Sequence, residues 1–235
     1  MGHAVLTRTR LLASGLATAF ALTVALSGSA VSPALAQDDA SATPSAADCN
    51  VEEAVANAPV VYTINSNEST ASYVAQEELA SVGANEVVGT TNAFIGSILT
   101  DDEGNPLECS NFAVDMRTLE TDEARRDNFL RENTLESDAY PFATFVVASV
   151  DGLDGPLVEG EAVTAQLVGD LTLHSVTRSA TWEAEITLEG DTLTGTATTT
   201  FVIADYGMEK PIVGPVVSID DEIELKVDLT AVRGS

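Results

Sequence analysis

The sequence from about residue 60 onward predicts an all-β domain of about eight antiparallel strands. Apolar and polar residues alternate in short runs rich in Thr and Val, and turn residues separate these runs. The alternation is cleanest in Ser179–Leu188, where Trp182 and Ile186 share one face and Glu183 and Glu185 share the other. Closure into a barrel would remove the exposed edges of such a sheet, and a two-sheet β-sandwich is the alternative.

Gly89 and Gly96 lie inside the longest predicted strand, and glycines within strands mark bulges or bends of the kind that a curling sheet requires. The strands are predicted at Val60–Asn65, Ala71–Glu78, Glu86–Leu99, Asn111–Leu119, Ala143–Val150, Glu161–Leu173, Ser179–Leu188, Thr192–Ala204 and Glu222–Val232.

One segment, Thr121–Leu135, interrupts the β pattern and predicts a short helix that crosses between strands. Its first residue can cap a helix, and Asp122 and Glu123 suit the first turn. Arg125 and Arg126 follow at once. Ion pairing along the helix surface is the favoured reading of these charges, and an anion contact at the mouth of the barrel is the alternative.

The first 36 residues have the three parts of a secretory signal peptide. Arg8 and Arg10 supply the basic region, an apolar stretch runs from Leu11 to about Val31, and Ala34–Ala36 has the small residues that a signal peptidase needs. An uncleaved anchor helix is the alternative. The prediction is a secreted or periplasmic protein, located outside the cytoplasm.

Residues 37–59 are rich in Ala, Ser, Asp and Pro and predict a flexible arm or linker before a β domain at 60–233. Once the signal is removed, eight basic and 37 acidic side chains leave a net charge of −29. Such a surface repels nucleic acid and anionic lipid headgroups, so nucleic-acid binding is excluded.

The chain has two cysteines, Cys49 and Cys109, and both lie after the signal. In an exported protein an even number of cysteines favours a disulfide, which would tie the N-terminal arm to the domain. A catalytic thiol is the weaker reading, because neither cysteine has a histidine nearby in the sequence.

Motifs for catalysis or metal binding are sparse. His174 is the one histidine after the signal, no Cys-x-x-Cys occurs, and the acidic turn Asp101–Asn105 lacks the spacing of a calcium loop. We therefore predict no metal, no cofactor and no catalytic residue. His174 is expected to make a local hydrogen bond, and an enzyme or redox-coupled protein with a pocket near His174 and Arg178 is the alternative.

Four stretches carry a resemblance to a known family. They occur in order over roughly residues 60–232, and together they resemble the YceI-like family of exported, lipocalin-like proteins that bind polyisoprenoids. The stretches are Glu86–Ile98 (EVVGTTNAFIGSI), Asp122–Phe145 (with RRDNFL and LESDAYPFATF), Gly169–Arg178 (GDLTLHSVTR) and Asp205–Met208 (DYGM).

The resemblance implies a lipocalin-like extended antiparallel barrel with an apolar tunnel under the crossover helix. It implies a non-enzymatic protein that holds a polyisoprenoid, an isoprenoid quinone or a similar amphiphile, with no stable membrane insertion after signal cleavage. A homodimer and a purely structural domain with a filled barrel are left open. The expected tunnel residues are Phe94, Phe112, Met116, Phe145, Trp182, Ile186, Phe201 and Ile203; the expected polar residues at the mouth are Arg125, Arg126, His174 and Arg178.

Overall fold

The computed structural model describes residues 44–234, so the predicted signal peptide at 1–36 lies outside the described residues. Eleven strands form one antiparallel sheet, and none of the helices in the described range is long and apolar enough to cross a membrane. The strands are β1 (Val60–Ile64), β2 (Thr70–Leu79), β3 (Gly83–Thr91), β4 (Phe94–Thr100), β5 (Asn111–Asp115), β6 (Phe142–Asp151), β7 (Ala162–Leu173), β8 (Val176–Glu189), β9 (Thr192–Val202), β10 (Val216–Ile219) and β11 (Glu222–Arg233).

The sheet closes on itself as a barrel of eight strands. Each of β4 to β9 pairs with its neighbour, β9 pairs with β11, and β1 pairs with both β4 and β11. The closing contact joins Tyr62–Ile64 to Ala231–Arg233. The predicted all-β barrel is confirmed, and the β-sandwich alternative is wrong.

At two places in the barrel wall, a short interruption divides a longer extended segment into two strands. β1 and β2 both pair with β11, and a short 3₁₀ turn at Ser66–Glu68 separates them. The strand predicted at Glu86–Leu99 is likewise two strands, because Asn92 and Ala93 leave the ladder between β3 and β4. As a result β2, β3 and the short β10 extend the wall at one end of the barrel only.

The crossover between β5 and β6 contains the predicted helix in a shorter form. Helix α2 spans Ala124–Phe129, and a π-helical turn continues it over Leu130–Thr134. The side chain of Glu123 caps it by accepting a backbone N–H of the first turn. Thr121, which we expected at the cap, instead donates from its hydroxyl and its backbone N–H to buried Asp127, at 2.6 and 2.9 Å.

The N-terminal arm contains another helix, α1 (Val51–Asn57), which was not predicted from the sequence. The side chain of Asn50 accepts a hydrogen bond from the backbone N–H of Glu53 at 3.3 Å. An Asn followed three positions later by Glu is a signature of a helix start, so the signal was present in the sequence.

The arm is fastened to the barrel at two points. A disulfide joins Cys49 to Cys109, with 5.7 Å between the two Cα atoms. Four residues earlier, the Ser45 hydroxyl and the Ala46 backbone N–H both donate to the carboxylate of Asp170 on β7, at 2.9 and 3.0 Å. The described part of the arm is therefore held to the barrel at β7 and just before β5.

One half of the barrel interior is filled by aromatic side chains, and we call it the packed half. Its four rings are Phe94, Phe112, Phe145 and Trp182, with neighbouring ring centroids 5.6–6.0 Å apart. Phe145 and Trp182 are almost fully buried. Tilted and edge-on contacts at this spacing stabilise beyond the area that they bury.

Gly169 lets β6 and β7 approach each other beside these rings. It pairs with Val147 where a bulge shifts the register of β6. A Cβ atom at position 169 would overlap the carbonyl oxygen of Val146 and touch the ring of Phe145. A glycine in the middle of this strand is therefore required by backbone proximity.

Candidate functional site

The other half of the interior, which we call the open half, contains a cavity of about 430 Å³. It lies at the end where β2, β3 and β10 extend the wall, and the crossover between β5 and β6 covers it. This volume is in the usual range for sites that bind small molecules. Its apolar lining includes Met116, Phe129, Leu135, Phe201, Ile203 and Ile223.

Three of the eight expected tunnel residues line this cavity. Phe201 and Ile203 come from the end of β9 and the 3₁₀ turn that follows it, and Met116 begins the crossover. Phe201 also makes an edge-on contact with Tyr206, with 5.5 Å between the ring centroids.

The other five expected tunnel residues lie elsewhere. Four of them are the rings of the packed half, and Ile186 packs against the same core from β8. They are directed inward, as the alternation predicts, but they contact one another instead of bounding the cavity. The interior of an eight-stranded barrel is just wide enough for side chains to fill, and aromatic rings fill it here.

A charged network borders the cavity below α2. Arg126 lies 2.6 Å from the carboxylate of Asp122, the predicted ion pair one helical turn apart, and 3.7 Å from Oε1 of Glu77. The Glu77 side chain is only 4 % exposed, and its Oε1 also accepts a hydrogen bond from Asn85 at 2.8 Å. Arg125 lines the cavity beside them.

Tyr73 places a phenol in the same region. It lies opposite Gly89 in the β2–β3 ladder, and its ring occupies the space that a Cβ atom at position 89 would need. Burial raises the pKa of the Tyr73 phenol well above its ordinary value; Arg126 opposes the rise and nearby carboxylates reinforce it. The phenol consequently keeps its proton and is a hydrogen-bond donor at neutral pH.

His174 connects the crossover to the barrel. It forms the two-residue turn between β7 and β8 with Ser175, and both have a positive φ, 47° and 63°. Its Nε2 lies 2.7 Å from a carboxylate oxygen of Glu136, and its ring stacks edge-on against Tyr140 at 4.3 Å. His174 also borders the cavity, so this contact positions part of its roof.

Arg178 lies apart from the other predicted mouth residues. It lines a polar groove outside the cavity, together with Tyr206 and Glu222. Its Nε donates to the backbone carbonyl of Asp205 at 3.2 Å. The structure therefore brings Arg125, Arg126 and His174 to one cavity and leaves Arg178 outside it.

Several polar residues of the cavity were not predicted from the sequence, among them Tyr73 and Glu77 of β2. The alternation of β2 places both on the inward face, and that signal was available. Glu77 was not predicted as a cavity residue because a carboxylate in an alternating strand ordinarily faces water. Among residues 44–234, no group of three or more His, Cys, Asp and Glu side chains is placed to hold a metal ion.

Comparison with known proteins places the chain in a family. A YceI-like domain model matches residues 62–231, which is most of the chain. This chain belongs to the YceI-like family. A UPF0312 protein of Pseudomonas putida (strain W619) is 34 % identical over 143 residues, covering 57 % of this chain and 70 % of that relative.

Solved structures share the fold of this YceI-like chain at low sequence identity. BcnA of Burkholderia cenocepacia superposes with a TM-score of 0.57 and 16 % identity, over 72 % of this chain and 99 % of BcnA. A polyisoprenoid binding domain from Saccharophagus degradans also gives a TM-score of 0.57, at 15 % identity, over 74 % of this chain and 98 % of that domain. At these identities the likeness concerns the fold alone.

Proposed function

We propose that this YceI-like protein is a non-enzymatic carrier that holds a polyisoprenoid, an isoprenoid quinone or a similar amphiphile in the cavity of the open half. The cavity is the observation that carries the proposal: it is mainly apolar and is bordered by polar side chains. The name of the Saccharophagus degradans domain, which has the same fold, supports this choice of ligand.

Burial of an apolar chain supplies the binding energy in this proposal. Each CH₂ group removed from water contributes about 0.8 kcal/mol, so roughly fifteen buried carbons contribute about 12 kcal/mol. That gain is comparable with the cost of association, about 4–15 kcal/mol, so the apolar chain supplies most of what non-covalent binding requires. The polar groups at the border of the cavity then orient the headgroup.

The carrier acts outside the cytoplasm in this proposal, as a secreted or periplasmic protein. The signal-like sequence of residues 1–36 and the disulfide between Cys49 and Cys109 support this location, since disulfides persist in oxidising compartments. The domain would then be 60–233, preceded by the arm at 37–59.

Catalysis is not part of the proposal. His174 is hydrogen-bonded to Glu136 and stacked on Tyr140, and Arg178 borders a different groove. The two residues that an enzymatic pocket would use therefore do not converge. A purely structural role is disfavoured because the interior is filled in only one of its halves.

Native mass spectrometry with lipid extraction, on protein purified from its source, tests the proposal. We expect an amphiphile to copurify with the wild-type protein and to be lost from Met116→Trp, which fills the cavity. Ile95→Trp is the matched control, because Ile95 is exposed on the outer wall. The proposal fails when no amphiphile copurifies and none binds in titration.

A further inference from the structure

The charged side chains that border the cavity are unusual for a site that would hold an anion. Three carboxylates, Glu77, Asp122 and Glu123, face two guanidinium groups, Arg125 and Arg126. The remaining basic side chain at the border, His174, is paired with the carboxylate of Glu136 and so adds no net positive charge. A phosphate placed here would therefore meet more negative than positive charge.

Arg126 is also already engaged. Its guanidinium lies between Asp122 and Glu77, so its charge is neutralised by protein carboxylates before any ligand enters. The buried carboxylate of Asp127 lies one residue further along α2 and adds to the negative charge of this region. Arg125 alone is then left to offset a phosphate.

Glu77 is the decisive member of this network. Its side chain is 96 % buried and borders the cavity, whereas Asp122 is 88 % exposed and faces water. In the part of the chain that the structure describes, Oε1 of Glu77 accepts a hydrogen bond from Asn85, and Oε2 accepts none. Arg126 offsets only one of the two carboxylates that it contacts, so the group keeps a net negative charge. Water screens the charge on buried Glu77 less than the charge on exposed Asp122, so Glu77 contributes more to the repulsion of an anion.

We infer that Glu77 is a specificity-determining residue, which selects amphiphiles with an uncharged headgroup over those with a phosphate. This inference rests on the proposed carrier function and names the ligand class within it. An uncharged hydroxyl headgroup can both donate a hydrogen bond and accept one at this site. Glu77 Oε2 is an open acceptor, and the Tyr73 phenol and the Arg125 guanidinium are donors.

The test compares two probes of equal chain length, a polyprenol and the corresponding polyprenyl monophosphate. Both are titrated into the delipidated mature protein and read by native mass spectrometry. We expect the wild-type protein to bind the alcohol at least about tenfold more tightly, which corresponds to about 1.4 kcal/mol. The preference should persist at high salt, because the responsible carboxylate is buried.

Glu77→Gln removes the charge and keeps the shape and the acceptor for Asn85. We expect this variant to bind the monophosphate about tenfold more tightly than wild type. It should bind the alcohol less tightly, because an amide N–H replaces the Oε2 acceptor, so the preference for the alcohol should be lost. Glu78→Gln is the matched control, because it changes the net charge equally from the exposed face of the same strand. Melting temperatures of both variants establish that they are folded.

The outcomes separate the two proposals. Equal binding of both probes by the wild-type protein, or tighter binding of the monophosphate, overturns the inference and leaves the carrier function standing. Equal effects of Glu77→Gln and Glu78→Gln also overturn it, because they would assign the preference to the overall charge of the protein. Binding of neither probe counts against the carrier function itself, and the inference then fails with it.

Discussion

The two halves of the barrel interior differ in content although the same type of strand builds both. In the packed half, four aromatic rings from β4, β5, β6 and β8 contact one another and exclude empty space. In the open half, the walls extend beyond the ring of eight strands and enclose a cavity under the crossover. The comparison indicates a division of labour, in which one half stabilises the fold and the other half accommodates a ligand.

The largest expected effect is a difference in stability loss between a substitution in the packed half and one in the open half. Trp182→Ala should lower the free energy of unfolding by about 3–5 kcal/mol, because Trp182 is almost fully buried among rings that cannot close the void. Phe201→Ala should cost about half as much, since Phe201 is partly exposed and already faces a cavity. Urea unfolding followed by circular dichroism measures both.

Ligand affinity should show the opposite order for these two variants. Phe201→Ala should weaken amphiphile binding, and Trp182→Ala should change it little. Trp182 is the one tryptophan of the chain, so its fluorescence in the wild-type protein reports on the packed half and should respond weakly to ligand. Equal stability losses for the two variants would contradict a division between the halves.

The disulfide should contribute to the stability of the protein but not to ligand binding. It links residues 60 positions apart, and closure of a loop of that length restricts the unfolded chain by an amount worth about 2–4 kcal/mol. Cys109 lies two residues before the start of β5 and does not line the cavity. We therefore expect the double variant Cys49→Ser/Cys109→Ser to unfold at a lower urea concentration and to bind ligand as the wild type does.

A reductant supplies the control for this prediction. Wild-type protein treated with dithiothreitol should unfold like the double variant, and the double variant should not respond to dithiothreitol. A loss of ligand affinity in the double variant would show that the arm supports the open half as well.

Two glycines test how each half responds to added volume. Gly169→Ala should destabilise by about 3 kcal/mol, because the new methyl group would overlap the backbone carbonyl of Val146, a residue of the β6–β7 ladder. Gly89→Ala should cost about 1 kcal/mol, because it meets only the ring of Tyr73, which borders the cavity. Thermal unfolding gives the stabilities.

The displaced ring in Gly89→Ala should occupy part of the cavity, so ligand affinity should fall in that variant. Similar stability losses for the two glycine variants would show that the open half is as rigid as the packed half. An unchanged affinity in Gly89→Ala would place the ligand away from Tyr73.

Strand alternation was sufficient to predict much of this architecture. The face of β8 that contains Trp182 is buried as predicted. The predicted last strand, β11, also alternates, and its face with Ile223, Val227 and Ala231 is buried. The short β10 was missed because Gly214 and Pro215 directly precede it and indicate a turn. Local pattern predicts elements well where the alternation continues for many residues.

The contents of the barrel could not be predicted in the same way. Phe112 and Trp182 are 70 positions apart in the chain, and their contact depends on how distant strands come together. An inward aromatic residue of the packed half and one of the open half, such as Phe201, have the same local pattern. The division between packed and open interior therefore depends on tertiary contacts that alternation does not encode.

The smallest expected effect concerns the turn of His174 and Ser175 at the open end. A two-residue hairpin turn with positive φ at both positions favours glycine, and a side chain there is strained. Ser175→Gly should therefore stabilise the protein by about 0.5–1 kcal/mol, measured by thermal unfolding. Ser179→Gly is the control and should destabilise by a similar amount, because Ser179 is an exposed residue within β8.

Ligand binding by Ser175→Gly distinguishes two roles for the turn. His174 links the turn to Glu136 in the crossover, so a change in the turn could reach the roof of the cavity. We expect unchanged affinity, because the substitution keeps the backbone conformation and the His174 contact. A fall in affinity together with a gain in stability would show that strain in the turn helps to position the roof. The open half would then be less stable than it could be, because ligand binding requires the strained turn.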